Sequence, residues 1–166
     1  MDQAQGAIDA ARAAGADRHA AEEYDAAVTA LKQANDAVAQ RDYRLALNYA
    51  LDSREKAQNA AKKGADQQAA LRSAAERRLG ELTALLDQAN QRLAAAEAAP
   101  VPRRALMAPR AAVAAAAASL QKAGTEIHLG NYPASQDRLS EAATQLRAGM
   151  TELDTLMKGR GARARR

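Results

Sequence analysis

Residue types that could support catalysis or metal binding are few in this sequence. It has two histidines, His19 and His128, and no cysteine, so thiol chemistry is excluded. His19 precedes Glu22 and Glu23 by three and four residues, a spacing that could place part of a metal site on one helix face. A di-metal helical bundle needs paired Glu-x-x-His motifs, however, and the sequence contains none. We therefore predict no metal, no cofactor and two solvent-exposed histidines.

Motifs of nucleophilic catalysis and of phosphate binding are missing as well. No serine lies in a Gly-x-Ser-x-Gly pattern, and neither glycine pattern of a phosphate-binding loop occurs. The carboxylates follow helix faces of alternating charge, where their usual role is to pair with Lys or Arg four residues away. The sequence therefore predicts a protein that is not an enzyme, with no catalytic residue.

The densest group of like charges is the C-terminal segment 159–166. It contains four arginines, Arg160, Arg163, Arg165 and Arg166, which could contact a polyanion such as nucleic acid or an anionic lipid surface. No aromatic residue lies among them, so bases could not stack on this segment. We predict a disordered, solubilising basic tail in preference to a nucleic-acid site.

The elements that carry these residues are predicted to be helices throughout. Alanine, which has the highest helix propensity, dominates the composition, whereas Phe and Trp are absent and only four Tyr occur. A buried Ala removes little apolar area from water, so stability requires long helices that approach each other closely. We predict an all-α fold of elongated antiparallel hairpins, with a three-helix, coiled-coil-like bundle that shares one long helix.

An internal repeat with an offset of 89 residues sets the order of these helices. An apolar stripe with alternating spacings of three and four occurs twice, and a polar turn follows each copy. The stripes are Tyr24, Ala27, Leu31, Ala34 and Val38, and then Val113, Ala116, Leu120, Ala123 and Ile127. We expect Asp42 and Asn131 to cap the helix after each turn, and Tyr43 and Tyr132 to cover the end of each core.

The same spacing continues in the helices that return from the turns, so we predict a single elongated helical domain over 1–158. Gly64 could end a helix, but the stripe stays in phase across it, which favours one helix over 42–98. Pro100 and Pro102 then end that helix. The predicted parts are an N-terminal hairpin over 18–64, a three-helix part over 66–158 with helices at 66–98, 104–129 and 132–158, and the tail over 159–166.

Three segments in the first third of the chain, 10–16, 24–31 and 41–50, carry a resemblance to a known family. The last of them begins Arg41-Asp42-Tyr43-Arg44. Together they resemble the uncharacterised alanine-rich helical domains of bacterial envelope lipoproteins, and similar modules occur in surface-layer proteins. The resemblance implies a structural domain that follows a secretion or lipidation signal and has no active-site residues.

These observations predict a non-enzymatic helical scaffold or protein-interaction adaptor of the cell envelope, located in the periplasm. A partner protein or a second copy would bind through the helix faces. The first six residues are no signal peptide, so either the protein is cytosolic or, as an envelope location requires, a targeting segment has been removed. No apolar run approaches the roughly 18 residues of a transmembrane segment. The alternative is a cytoplasmic nucleoid- or granule-associated protein that binds polyanions through the arginines of 159–166.

Overall fold

The computed structural model describes residues 1–163, with side chains through residue 158. Over this range the chain is helical and contains no strand, which confirms the predicted all-α fold. The helices are α1 (Asp2–Ala13), α2 (Ala16–His19), α3 (Ala21–Ala39), α4 (Tyr43–Ala98), α5 (Met107–His128) and α6 (Tyr132–Arg163), with a short 3-10 helix over Arg103–Leu106 before α5.

Helix α4 belongs to two compact units, which divide after Leu71. Unit 1 contains α1, α2, α3 and the first part of α4, and unit 2 contains the rest of α4, α5 and α6. The 56 residues of α4 continue through Gly64. The prediction of one helix across this glycine is therefore confirmed.

Unit 1 has a third helix beside the predicted hairpin over 18–64. Helix α1 buries Ala4, Ile8 and Ala11, which lie on one side of the helix and join the apolar core of α3 and α4. The chain then turns at Gly15, whose φ of 75° is a left-handed conformation that glycine adopts without strain. Unit 1 is therefore a three-helix bundle.

The core of unit 1 is built from small side chains. Alanines such as Ala27 and Ala57 are fully buried, and Ser53 is buried beside them. The Ser53 hydroxyl donates a 2.8 Å hydrogen bond to the carbonyl oxygen of Ala27, which satisfies its polar group inside the core. Small residues on facing helices allow the backbones to lie close together.

The core of unit 2 contains larger side chains. All five residues of the second predicted stripe are buried in α5. Leu139 and Leu146 of α6 and Leu82 of α4 pack in the same cluster. Leu146 and Ala57, which are separated by 89 residues, are both fully buried but differ in size.

The two hairpin turns have the same backbone conformation, which extends the repeat from sequence to structure. Arg41 has a φ of 61° and Gly130 a φ of 73°, so both are left-handed. The amide of the next residue, Asp42 or Asn131, donates to the carbonyl five residues before it, at 3.0 and 2.9 Å respectively. This pattern is the Schellman motif that ends many helices.

The side chains after the two left-handed residues act differently. Oδ1 of Asp42 accepts a 3.0 Å hydrogen bond from the amide of Leu45, as expected of a helix cap. Asn131 instead donates from Nδ2 to Oε2 of Glu126 at 2.9 Å, across the turn. The repeat therefore preserves the backbone of the turn more closely than its side-chain bonds.

The equivalence of the turns allows a reciprocal test. Because a left-handed conformation strains a residue with a Cβ atom, Arg41→Gly should raise the free energy of unfolding by about 0.5–1 kcal/mol. Gly130→Arg should lower it by roughly 1 kcal/mol for the same reason. Urea denaturation followed by circular dichroism measures both, and shifts of the same sign would contradict the explanation.

Candidate interaction surface

The structure separates the residues that the sequence placed in a partial metal site. The carboxylate of Glu23 forms an ion pair with Lys63 of α4, and this hydrogen bond lowers the pKa of Glu23 and raises the pKa of Lys63. His19 is half-buried beside Gly15, so its predicted exposure is wrong, whereas His128 is exposed. Among the described residues, no three potential ligands lie close enough to hold a metal ion.

The arginines proposed for polyanion contact fall beyond the described side chains. Arg160 and Arg163 lie in the backbone of α6, which continues to Arg163 and therefore into the predicted tail over 159–166. Arg165 and Arg166 lie outside the described residues altogether. The polyanion hypothesis thus stays a prediction.

Six of the large apolar side chains that are exposed lie on the α3–α4 hairpin. Five of them are named the open hairpin face: Val28 and Val38 on α3, and Tyr43, Leu47 and Leu51 on α4. The sixth is Leu45. The three residues of the face on α4 are spaced by four residues, so they align along one edge of that helix. Leu47 and Leu51 expose 59% and 46% of their surface.

None of the helices described over 1–163 has an apolar stretch long enough to cross a membrane.

Helix α1 covers the continuation of this face. Arg54, one helical turn beyond the exposed leucines on the same edge of α4, donates from Nη1 to Oε1 of Gln3 at 2.9 Å. On α3, the hydroxyl of Tyr24 accepts a 2.9 Å hydrogen bond from Nε of Arg12, whose guanidinium carbon also lies 5.8 Å from the centre of the ring. The edges of α3 and α4 are therefore covered by α1 at Tyr24 and Arg54 and exposed beyond those contacts.

Two residues of this face, Val38 and Tyr43, have buried counterparts in unit 2. Tyr43 exposes 67% of its surface, but Tyr132, 89 residues later, exposes 4%. Val38 exposes 41%, but Ile127 exposes 6%. The predictions that Val38 lies in the core and that Tyr43 covers its end are therefore wrong. Because the residues and the turns are equivalent, the contrast arises from what packs against them.

Residues 72–90 of α4 pack against α5 and α6 in unit 2. Leu79, Leu82 and Leu86 pack with the apolar cluster of α5 and α6. Leu79 lies over Gly124 near the turn, where a Cβ atom on the glycine would be 3.8 Å from Cδ2 of the leucine. In unit 1, α1 takes the equivalent position only as far as its contacts with Tyr24 and Arg54, and no described segment covers the hairpin between those contacts and the turn. The open hairpin face is thus the part of the hairpin that α1 leaves uncovered.

A second surface feature is a cavity of about 490 Å³ in unit 2, beside the 3-10 helix. Arg103, Arg104 and Arg110 line it, together with the exposed Met107. Arg110 forms an ion pair with Glu97, which offsets one of the three positive charges. The arginines are exposed, so solvent and salt screen their charge. The cavity is a weakly basic surface with no buried polar group in its lining.

Sequence periodicity alone could not identify the open hairpin face, because Val38 and Tyr43 follow the same pattern as their buried counterparts. One signal was present in the repeat. Leu47 and Leu51 stand where the second copy has Gln136 and Ser140, so the first copy carries apolar residues at positions that are polar in the second. A comparison of the outward positions of the two copies would have identified these leucines.

No known protein family, curated protein or solved structure matches this chain. The open hairpin face is therefore interpreted from its own residues and from its counterpart in unit 2. Its five residues combine an aromatic ring with branched aliphatic side chains, a composition suited to burial against another apolar surface. The surface is thus identified as a candidate site of protein interaction.

Proposed function

We propose that this chain is a non-enzymatic helical adaptor that binds a partner protein through the open hairpin face. The observation that carries the proposal is the burial contrast between the two units, 67% exposure at Tyr43 against 4% at Tyr132. A contiguous exposed apolar patch is typical of an interaction site, because its burial against a partner removes apolar area from water. Leu47 and Leu51 extend this patch along α4.

We also propose the cell envelope, and specifically the periplasm, as the location of this adaptor. The support is the resemblance of 10–16, 24–31 and 41–50 to the alanine-rich domains of envelope lipoproteins. The cytoplasmic alternative, with the arginines of 159–166 on a polyanion, makes a different prediction. It requires binding to DNA that weakens steeply as the salt concentration rises.

Fractionation and crosslinking in the protein's own host test both parts of the proposal. The chain should be recovered with the periplasm or membrane and should crosslink to an envelope protein. A double variant, Leu47→Glu with Leu51→Glu, should abolish that crosslink, because carboxylates would be desolvated at the interface. Leu129→Glu, which changes an exposed residue outside the open hairpin face, is the matched control and should preserve it.

Two results would contradict the proposal. Recovery with the nucleoid would favour the polyanion alternative over the envelope location. A crosslink that survives the double variant would mean that the partner contacts another surface.

A further inference from the structure

We infer that the open hairpin face binds one amphipathic helix of a partner protein. The helix lies parallel to α4 and has a broader apolar side than residues 72–90. This inference rests on the proposed adaptor function and adds the chemistry and the direction of the partner. Its basis is the internal repeat, since residues 72–90 reach Leu139, the counterpart of Ala50, whereas α1 contacts α4 at Arg54, one turn further from the hairpin turn.

The direction follows from contacts within each unit. In unit 2, Ala75 and Leu139 line one small cavity, and Arg92 donates to Asp154 at 2.9 Å further along. From the first of these contacts to the second, the residue number rises on both helices, so this part of α4 runs parallel to α6. The helix in the equivalent place of unit 1 would therefore be parallel to the first part of α4.

Unit 1 gives the same direction independently through α1. Gln3 contacts Arg54, and the backbone of Ala16 approaches Gly64. The residue number rises on both segments from the first contact to the second, so α1 also runs parallel to α4. The open hairpin face continues the α1 interface beyond Gln3. A partner helix that extends this interface along the same line would approach with its C-terminal end nearest to α1.

The chemistry follows from the positions where the two copies differ. In unit 2, Gln136 and Ser140 face a cavity of about 360 Å³ that Arg78 and Glu81 of α4 also line. On this side of the contact between α4 and α6, the residues of both helices are therefore polar. In unit 1, Leu47 and Leu51 replace the two polar residues. A helix that covers the leucines needs apolar residues at the positions of Arg78 and Glu81, because burying those charges without partners would be costly.

The first test compares two labelled peptides for binding to the purified full chain by fluorescence anisotropy. One peptide has the sequence of residues 72–83, whose helical length of roughly 18 Å matches the roughly 17 Å from Tyr43 to Arg54 along α4, and the other carries Arg78→Leu and Glu81→Leu. The leucine peptide should bind at least ten-fold more tightly to the full chain. Analytical ultracentrifugation of each peptide alone establishes that it is monomeric at the concentration used.

A variant of the chain with Leu47→Gln and Leu51→Ser provides the matched comparison, because unit 2 carries these residues at the same positions. On this variant the advantage of the leucine peptide should fall below three-fold. Leu129→Gln, an exposed change outside the face, should leave the ten-fold difference intact. Equal affinity of the two peptides for the unaltered chain would overturn the inferred chemistry.

The second test determines the direction of the bound helix. The chain has no cysteine of its own, so each introduced thiol is the only one that can form a disulfide with the peptide. Tyr43→Cys and Arg54→Cys place single thiols at the two ends of the face. A peptide with an N-terminal cysteine should form a disulfide with Tyr43→Cys, and one with a C-terminal cysteine should do so with Arg54→Cys. The opposite pairing would overturn the parallel direction.

Sedimentation of the unaltered chain tests whether a second copy of the chain binds the open hairpin face instead. A monomer across micromolar concentrations supports the partner helix, whereas a dimer that Leu47→Gln with Leu51→Ser dissociates would overturn it. The peptide experiments can reject the inferred partner helix without rejecting the proposed adaptor function. If the crosslink in the host depends on Leu47 and Leu51 but neither peptide binds in vitro, the adaptor function stands and the inference of a helical partner is wrong.

Discussion

Gly64→Ala is expected to lower the free energy of unfolding by about 2 kcal/mol, because it would force atoms together where two backbones meet. A Cβ atom on Gly64 would lie 2.9 Å from Cα and 3.2 Å from the backbone nitrogen of Ala16. Neither atom can move without displacing α2. The gain in helix propensity from glycine to alanine, about 1 kcal/mol, is too small to offset this overlap.

Gly80→Ala is the matched control for this substitution. Gly80 lies in the same helix, is exposed, and has no atom within 4 Å of an added Cβ. The control should therefore raise the free energy of unfolding by roughly 0.5–1 kcal/mol through helix propensity alone. Urea denaturation of both variants measures the two effects. Stabilisation by both alanines would contradict the close approach of α2 to α4.

Leu146→Ala is expected to lower the free energy of unfolding by about 2–5 kcal/mol, the cost of the lost apolar burial and the cavity left behind. Leu146 has no exposed surface and lies within the cluster of α4, α5 and α6. Thermal denaturation should show the loss as a lower Tm. Leu129→Ala, at a leucine with 74% exposure, should change stability by less than about 0.5 kcal/mol.

The repeat supplies a second arm for the same experiment. Ala57 is the counterpart of Leu146 and is also fully buried, but its neighbours are small residues. Ala57→Leu should therefore also destabilise the protein, by about 1–3 kcal/mol, because the core of unit 1 has no space for the added carbons. A stabilising Ala57→Leu would mean that the two cores are packed alike.

Periodicity and propensity were enough to predict several elements from the sequence. The unbroken stripe across Gly64 predicted one helix, and α4 is continuous there. The second stripe, from Val113 to Ile127, is buried throughout. Both turns lie where the polar residues Asp42 and Asn131 indicated. Each of these features depends on a few consecutive turns of chain, so local residue preferences can determine it.

The open hairpin face and the third helix of unit 1 could not be predicted in this way. Ala4, Ile8 and Ala11 form a short, weak stripe, and only its contacts with α3 and α4 make α1 part of a core. Val38 and Tyr43 have the pattern of buried residues but are exposed. Periodicity identifies the side of a helix that can be buried, but it carries no information about which neighbour is present to bury it.

The sequence by itself therefore determined the helical class, the positions of the turns and the inward side of most helices, because backbone propensity and residue spacing act locally. Only the tertiary structure decided that Gly64 lies against the backbone of Ala16 and that Tyr132 is covered while Tyr43 is open. These outcomes depend on segments distant in sequence. The proposed adaptor function depends on the same non-local packing, since its interaction surface is the part of the α3–α4 hairpin that α1 leaves uncovered.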